Sequence, residues 1–272
     1  MKKRLLLALI LLPASSHALL GAVIGDTGLT PDAWYEASST NYTVSGGTAT
    51  WLDLSGNGNH AIRGTAGQQP GLALNATPTG EAALSFDGGD SLAFTNALSS
   101  QSWTVFVVMR PTSIAASAAI LGGGSGAMEY RISSAGKQQY LNAQVATLAT
   151  GAATVSTSNY SIAAARLTNG SPNDSVSFFL NDLADGTATP TGDFSAATNL
   201  IGARTTAAEL YQGQIAALII FKSALTDTDI ANVDSYLKAK YISVPEPDSH
   251  VLSALAMGLI SLVKRKRPRG RV

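Results

Sequence analysis

From Ser175 to Asn181 the chain alternates with a period of two. Val176, Phe178 and Leu180 fall on one side of an extended backbone, and Ser175, Ser177 and Asn181 on the other. Successive side chains of a strand point to opposite faces, so this pattern makes a strand with one buried face. Trp103 to Met109 (WTVFVVM) is apolar on both faces and rich in β-branched residues, which suits an inner strand covered on both sides. Gln214 to Phe221 reads the same way. Leu84-Ser85-Phe86 and Leu92-Ala93-Phe94 flank Asp87-Gly88-Gly89-Asp90, a cluster of turn residues. Many short strands, separated by Gly-, Asn- and Ser-rich turns, restrict the body of the chain to an all-β sandwich or barrel.

One helix interrupts the strands. Thr226 is placed to cap it, with Asp229 at the third helical position as the acidic partner. Ile230, Val233, Leu237 and Tyr241 (or the neighbouring Lys240 stem) then form a stripe at helical spacing, predicted to pack the helix on the sandwich.

The two ends of the chain are of another kind. Lys2-Lys3-Arg4, an apolar run from Leu5 to Leu12, Pro13 and the small-residue step Ser16-His17-Ala18 read as a signal peptide over residues 1–18, cut after Ala18. An uncleaved anchor reaching Ile24 would carry Pro13, Ser15, Ser16 and His17 at its middle. At the other end, Val244-Pro245-Glu246-Pro247 stops the body, because proline lacks an N–H and biases its predecessor to extended backbone. Thirteen mostly apolar residues follow, Val251 to Val263. A basic cluster, Lys264-Arg265-Lys266-Arg267 with Arg269 and Arg271, ends the chain. As an anchor helix those thirteen residues reach about 20 Å, against a hydrocarbon core of about 30 Å, and lysine and arginine stems recover part of the difference. A buried C-terminal core helix is the plain alternative, opposed by a run apolar on all sides and by the basic stop. A nucleic-acid-binding tail would leave the apolar run without a purpose. The expected layout is a signal peptide over 1–18, a body over 19–243 and a tail over 244–272.

The formal net charge of zero hides this layout. Nine basic and sixteen acidic side chains lie between Leu19 and Ser243, a body charge of about −7. An acidic body argues against nucleic acid as partner and is compatible with divalent cations. The chain has no cysteine, which excludes disulfides and thiolate metal sites. The 225 residues of the body suffice for one all-β domain, with no internal repeat and no break in composition.

The tail resembles the PEP-CTERM sorting signal of Gram-negative bacteria: V-P-E-P, an apolar run and a terminal basic cluster, over about 29 residues. The resemblance implies recognition of Val244, Pro245, Glu246 and Pro247 by the membrane protease exosortase. Release or attachment outside the cell would follow, often beside exopolysaccharide. The body has a second resemblance. Trp51–Ala61 (WLDLSGNGNHA), Leu84–Leu92 (LSFDGGDSL), Trp103–Pro111, and Ile201–Tyr241 with its IGAR and LYQGQIAALIIFKSALTDTDI segments agree in order with laminin-G-like, concanavalin A-like jelly-roll domains. It implies an antiparallel jelly-roll β-sandwich with one short C-terminal helix, spanning most of residues 30 to 242. One departure is Ala217, where family members often carry an acidic residue after I-A.

Concanavalin A-like folds include glycoside hydrolases, and those of the laminarinase type place acidic residues at alternate positions of one strand. None of the body's glutamates, Glu36, Glu81, Glu129 and Glu209, has an acidic residue two positions away. Asp227 and Asp229 do pair in this way, but in the first turn of the predicted helix, where acids stabilise the dipole. His60 is alone in the body, too few for a multi-histidine metal site. Beside S-G-N-G-N it reads as a turn residue, with a Ser-His-Asp triad of distant partners as the alternative. Gly122-Gly123-Gly124-Ser125-Gly126 lacks the lysine and hydroxyl of a phosphate loop and reads as a flexible inter-strand loop. Oxygen-rich loops at Asp53, Asn57 and Asn59, and at Asp87 and Asp90, are candidates for calcium, or else simply turns. Trp34, Tyr35, Trp51 and Trp103 are candidates for stacking on sugars, or else core. Five Asn-x-Ser/Thr sequons (Asn41, Asn75, Asn159, Asn169, Asn173) read as accidental beside a bacterial tail.

The sequence thus leaves three readings open: a non-catalytic exported module that binds carbohydrate, an extracellular polysaccharide-degrading enzyme, and a purely structural matrix protein. The missing acidic strand pattern favours the first and third. The partners implied are signal peptidase, exosortase, the inner membrane as a transient anchor, and extracellular polysaccharide.

Overall fold

A computed structural model of the chain describes residues 29–98, 101–114, 116–124, 127–142, 146–170, 174–190, 197–205 and 208–243. The expected signal peptide, its expected cleavage position Ala18 and the expected sorting tail with Val244–Pro247 and Lys264–Arg267 lie outside the described residues. The chain separates into a compact unit over Met1–Ile242 and another over Ser243–Val272. Among the described residues no helix is long and apolar enough to cross a membrane.

Two antiparallel sheets face each other. Strands are numbered in chain order. One sheet runs from edge to edge as β15 (Leu183–Ala188), β14 (Ser175–Leu180), β13 (Ser161–Thr168), β8 (Trp103–Pro111), β17 (Gln212–Phe221), β6 (Ala83–Asp87) and β5 (Gly71–Ala73). An eighth strand, β1 (Ala33–Glu36), also pairs with β17. β6 takes residues 212–215 of β17 and β1 takes residues 217–220, so two strands share one edge of it. The other sheet has nine strands: β12 (Ala146–Thr150), β11 (Gln138–Asn142), β10 (Glu129–Ile132), β9 (Ala118–Gly122), β16 (Thr198–Ile201), β7 (Leu92–Leu98), β4 (Ala61–Arg63), β3 (Thr48–Trp51) and β2 (Tyr42–Ser45). The turn at Asp87–Asp90 carries the chain from one sheet to the other.

The main core lies between the sheets. Val105, Val107 and Met109 of β8, Val176, Phe178 and Leu180 of β14, and Leu218 and Ile220 of β17 meet Leu92, Phe94, Ile120, Tyr130 and Ile201 there. Each buried side chain of this size contributes about 1.5–3 kcal/mol relative to exposure. The stretch apolar on both faces finds its second partner in the helix α1 (Asp227–Tyr241). Phe106, Val108, Ile162, Ala164, Ile219 and Phe221 turn away from the main core and pack against Ile230, Val233, Leu237 and Tyr241.

The expected cap is present. The Thr226 hydroxyl accepts the Asp229 N–H (3.2 Å) and donates to Asp229 Oδ2 (2.7 Å). Arg166 on β13 holds the same helix end through Leu225 O (2.8 Å) and Asp227 Oδ1 (2.7 Å). The helix stripe includes both alternatives, Tyr241 and the Lys240 stem, which are buried alike. Lys240 Nζ meets Glu36 Oε2 at 2.6 Å, and the Tyr236 hydroxyl donates to Glu36 Oε1 at 3.0 Å. Glu36 lies directly across from Ala217 in the β1–β17 register. Through these contacts Glu36 ties α1 to the sheet.

Candidate ligand-binding face

The first oxygen-rich loop is built around Asp53. Its Oδ1 accepts the N–H groups of Trp34 (2.9 Å) and Ser55 (2.9 Å), and its Oδ2 accepts the Ser55 hydroxyl (2.8 Å) and the Asn59 N–H (2.9 Å). Burial pushes this carboxyl up, but the bonds from Ser55, Trp34 and Asn59 outweigh it and hold Asp53 below the usual carboxylate range. Asn57 and Asn59 direct their amide nitrogens to Asp32 O (3.2 and 2.8 Å). His60 accepts the Asp53 N–H at Nδ1 (3.0 Å), the bond of a turn residue. In the second loop Asp87 accepts the Gly89 N–H (2.7 Å), and Asp90 accepts the Asp87 N–H (2.8 Å). These are the bonds by which Asp and Asn side chains shape turns. Among the described residues no three His, Cys, Asp or Glu side chains gather as a metal-binding group.

Of the aromatic candidates, Tyr35, Trp51 and Trp103 are fully buried in the main core, so stacking on a sugar is excluded for them. The Tyr35 and Trp51 rings pack 5.3 Å apart. Trp34 is half-buried and borders a depression of about 300 Å³ with Asn41, Glu81 and the Glu36–Lys240 pair.

Gly122 and Gly123, at the start of the glycine run, are not the flexible loop their composition suggests. Gly122 ends β9, and a Cβ there would stand 2.4 Å from Ala203 O and 2.5 Å from Arg204 Cα. At Gly123 a Cβ would stand 2.2 Å from Ala197 O. Glycine lets the backbone between β16 and β17 lie directly on β9. The Ala119 N–H donates to Glu209 O and the Gly124 N–H to Arg204 O, each at 2.9 Å, so the connection is laced along the strand.

This connection brings four charged side chains together. Tyr130 and Ile132 of β10 enter the main core, so Glu129 and Arg131, at alternate positions, occupy the opposite face. Arg131 Nε donates to Gln139 Oε1 (3.0 Å), and its Nη1 meets Glu209 Oε1 at 3.2 Å and Glu129 Oε1 at 3.7 Å. Arg204 Nε approaches Glu209 Oε2 at 3.5 Å, an ion-pair distance without hydrogen-bond geometry. Glu129 is completely buried, and neither of its oxygens has a donor. Burial, and then the Glu209 carboxylate beside it, push its carboxyl up to about 8 against the opposing pull of Arg131 and Arg204. Glu129 therefore favours its protonated form at neutral pH, which lessens its repulsion with Glu209. Two guanidiniums, Arg131 and Arg204, face the Glu209 carboxylate. Glu209 has a φ of +50°, a region that disfavours a residue with a side chain and recurs where structure holds strain for function. A cleft of about 310 Å³ opens beside it, lined by Ser113, Ser117, Leu210, Gln212 and, from the Asp87–Asp90 turn, Gly88.

None of these four residues is a candidate in the sequence reading. The available signal was Glu129-Tyr130-Arg131, two charges at strand spacing around a core aromatic. Arg204 stands in the IGAR segment, legible as family-like but not as a site.

The comparisons agree with this architecture. Residues 86–231 match the family model Laminin_G_3, described as the concanavalin A-like lectin/glucanases superfamily. No curated protein matches the sequence. Among solved structures, domain 4 of AbnA, a GH43 extracellular arabinanase from Geobacillus stearothermophilus solved in complex with arabinotriose, is 16% identical. The match has a TM-score of 0.56 and covers 75% of this chain and 98% of that one. A Trypanosoma rangeli sialidase is 11% identical with a TM-score of 0.53, over 79% of this chain and 34% of the sialidase. The CBM40 of a Ruminococcus gnavus IT-sialidase is 18% identical with a TM-score of 0.46, over 56% of this chain and 96% of that one. At these identities the likeness is one of fold.

Proposed function

The chain belongs to the concanavalin A-like lectin/glucanases superfamily, and from that membership we propose that it is an exported bacterial surface or matrix protein whose sandwich binds carbohydrate without cleaving it. The observation that carries this reading is the contrast between the two sheets. The outer face of the eight-stranded sheet is covered by α1 over β8, β13 and β17, whereas that of the nine-stranded sheet carries the Arg131, Arg204 and Glu209 cluster, and a cleft between the loops and the start of β17 opens beside Glu209. A domain of the same fold holding arabinotriose is a precedent for sugar capture on this scaffold. The non-catalytic part rests on Glu129 and Glu209. Both meet the same Arg131 Nη1, at 3.7 and 3.2 Å, and Glu129 is wholly buried, whereas the carboxyls of a glycosidase stand about 5–9 Å apart with the scissile bond open between them.

The signal peptide exports the body in this scheme. The tail then holds the precursor in the inner membrane until exosortase recognises Val244–Pro247, and the product reaches the surface, the matrix or the medium. The test of binding uses the full-length chain purified in detergent against a panel of neutral and acidic polysaccharides, with and without calcium. Saturable binding is expected. Loss on chelation would assign a role to the Asp53–Asn59 or Asp87–Asp90 loop. Release of reducing ends would overturn the non-catalytic reading, and absence of binding to any polymer would overturn the carbohydrate reading. Ending the chain at Ser243 should abolish membrane retention in cells, and unchanged retention would overturn the sorting scheme.

A further inference from the structure

We propose that Arg131 and Arg204 form a subsite for the carboxylate of an acidic sugar, a uronate, and that Glu209 is an internal stand-in which this carboxylate displaces. This rests on the carbohydrate reading and narrows it to a substrate class.

The group the subsite takes is visible in what occupies it. Glu209 presents Oε1 to Arg131 and Oε2 to Arg204, one carboxylate spanning two guanidiniums. Arginine's planar donor fork suits carboxylate in this way. At 3.2 and 3.5 Å the fit is longer than the roughly 2.7–2.9 Å of a strong charge-assisted bond, so a free carboxylate can improve on it. Glu209 is also easily moved. Its side chain is 27% exposed and it stands at the left-handed φ of +50°, while its carbonyl stays bonded to the Ala119 N–H of β9, so the side chain is the part that swings. The cleft beside it receives the space the sugar ring needs.

Glu129 is the independent observation. It is a wholly buried acid 3.7 Å from Arg131 Nη1 with no donor for either oxygen, and after burial itself the neighbouring Glu209 is what favours its protonated form. Once Glu209 swings outward, the Glu129 O–H can donate to the incoming carboxylate. The charges then balance: two guanidiniums meet one carboxylate of the chain and one of the ligand. A neutral sugar brings nothing that replaces Glu209. An acidic polymer would otherwise be repelled by a body of about −7, so the subsite supplies local attraction where the net field does not.

The experiment measures binding of the full-length chain to polygalacturonate and to its carboxyl-reduced, neutral counterpart. The acidic polymer is expected to bind at least about tenfold more tightly. Arg204→Gln should weaken it about tenfold and leave the neutral polymer unaffected. Glu209→Gln, which removes the competing charge, should strengthen it. Binding should also fall as pH rises through about 8, where Glu129 ionises among Glu209, Arg131, Arg204 and the uncharged Gln139. Equal binding of the two polymers would overturn this inference and leave the carbohydrate reading intact. Failure to bind either would overturn this inference, and the carbohydrate reading falls with it only if every polymer of the wider panel fails as well. If Arg204→Gln lowers the melting temperature, Glu209→Gln decides alone, and unchanged or weaker uronate binding in that variant overturns the proposal.

Discussion

Replacing Glu129 with glutamine should make the protein more stable at neutral pH, by an amount that grows with pH. The unfolded chain releases the Glu129 proton near the ordinary glutamate value of 4.5, whereas the folded chain holds it up to about 8. Between those values the folded state binds more protons than the unfolded state, so stability falls as pH rises. The slope is about 1.4 kcal/mol per pH unit. From pH 4.5 to pH 7 the accumulated loss is about 3 kcal/mol, and it levels off above pH 8. Glutamine fills the same space, is neutral as the protonated acid is, and does not titrate. The difference in stability between Glu129→Gln and the wild type should therefore be near zero at pH 4.5 and about 3 kcal/mol in favour of the variant at pH 7. For a domain of this size that is roughly 6–12 °C in melting temperature. Thermal and urea melts of both proteins at half-unit steps from pH 4.5 to 9 measure it, and titrating groups remote from Glu129 cancel in the difference. A difference that does not vary with pH would refute the assignment of a retained proton to Glu129.

Three further outcomes follow from the geometry. Lys240→Met leaves Glu36 buried with the Tyr236 hydroxyl alone and should cost about 3 kcal/mol in urea unfolding, since a buried charge loses its counter-ion. Thr226→Ala removes the acceptor of the Asp229 N–H and should cost about 1 kcal/mol, measured by the same melts. Gly122→Ala puts a methyl within 2.4 Å of the Ala203 carbonyl, so it should lower stability by about 1–3 kcal/mol and also weaken uronate binding by shifting Arg204; calorimetry reads both.

Much of this fold could be read directly from local pattern. Alternation at Val176, Phe178 and Leu180 gives a strand with one buried face. The unbroken apolar character of Trp103–Met109 required a cover on both faces, and the second cover proved to be α1. Thr226 and the Ile230–Tyr241 stripe marked the helix because capping and 3.6-residue spacing are local properties. What was not legible depends on partners far apart in the chain. Glu36 takes its meaning from Lys240, 204 residues later. Gly122 and Gly123 read as flexible because glycine in sequence signals freedom. In the fold they are required for the opposite reason, a backbone pressed against them. The arginine–carboxylate cluster is assembled by that close approach, so its four members were dispersed charges until Ala203 and Arg204 were laid over β9. The acidic loops, by contrast, drew attention by composition, yet the Asp53 oxygens are engaged by its own loop.

The position of β17 sets the order in which this molecule can come into being. It is the last strand among the described residues, yet it lies between β8 on one side and β6 and β1 on the other. A chain that has emerged only as far as residue 211 holds those three strands without the neighbour they share, and their open edges and apolar faces invite pairing with other chains. The helix that covers Phe106 and Val108 arrives later still. The sandwich therefore cannot assemble progressively from its N-terminus during synthesis. It condenses late, through contacts between distant segments, which makes folding slow. A premature stop before Gln212 removes the middle of a sheet rather than its margin.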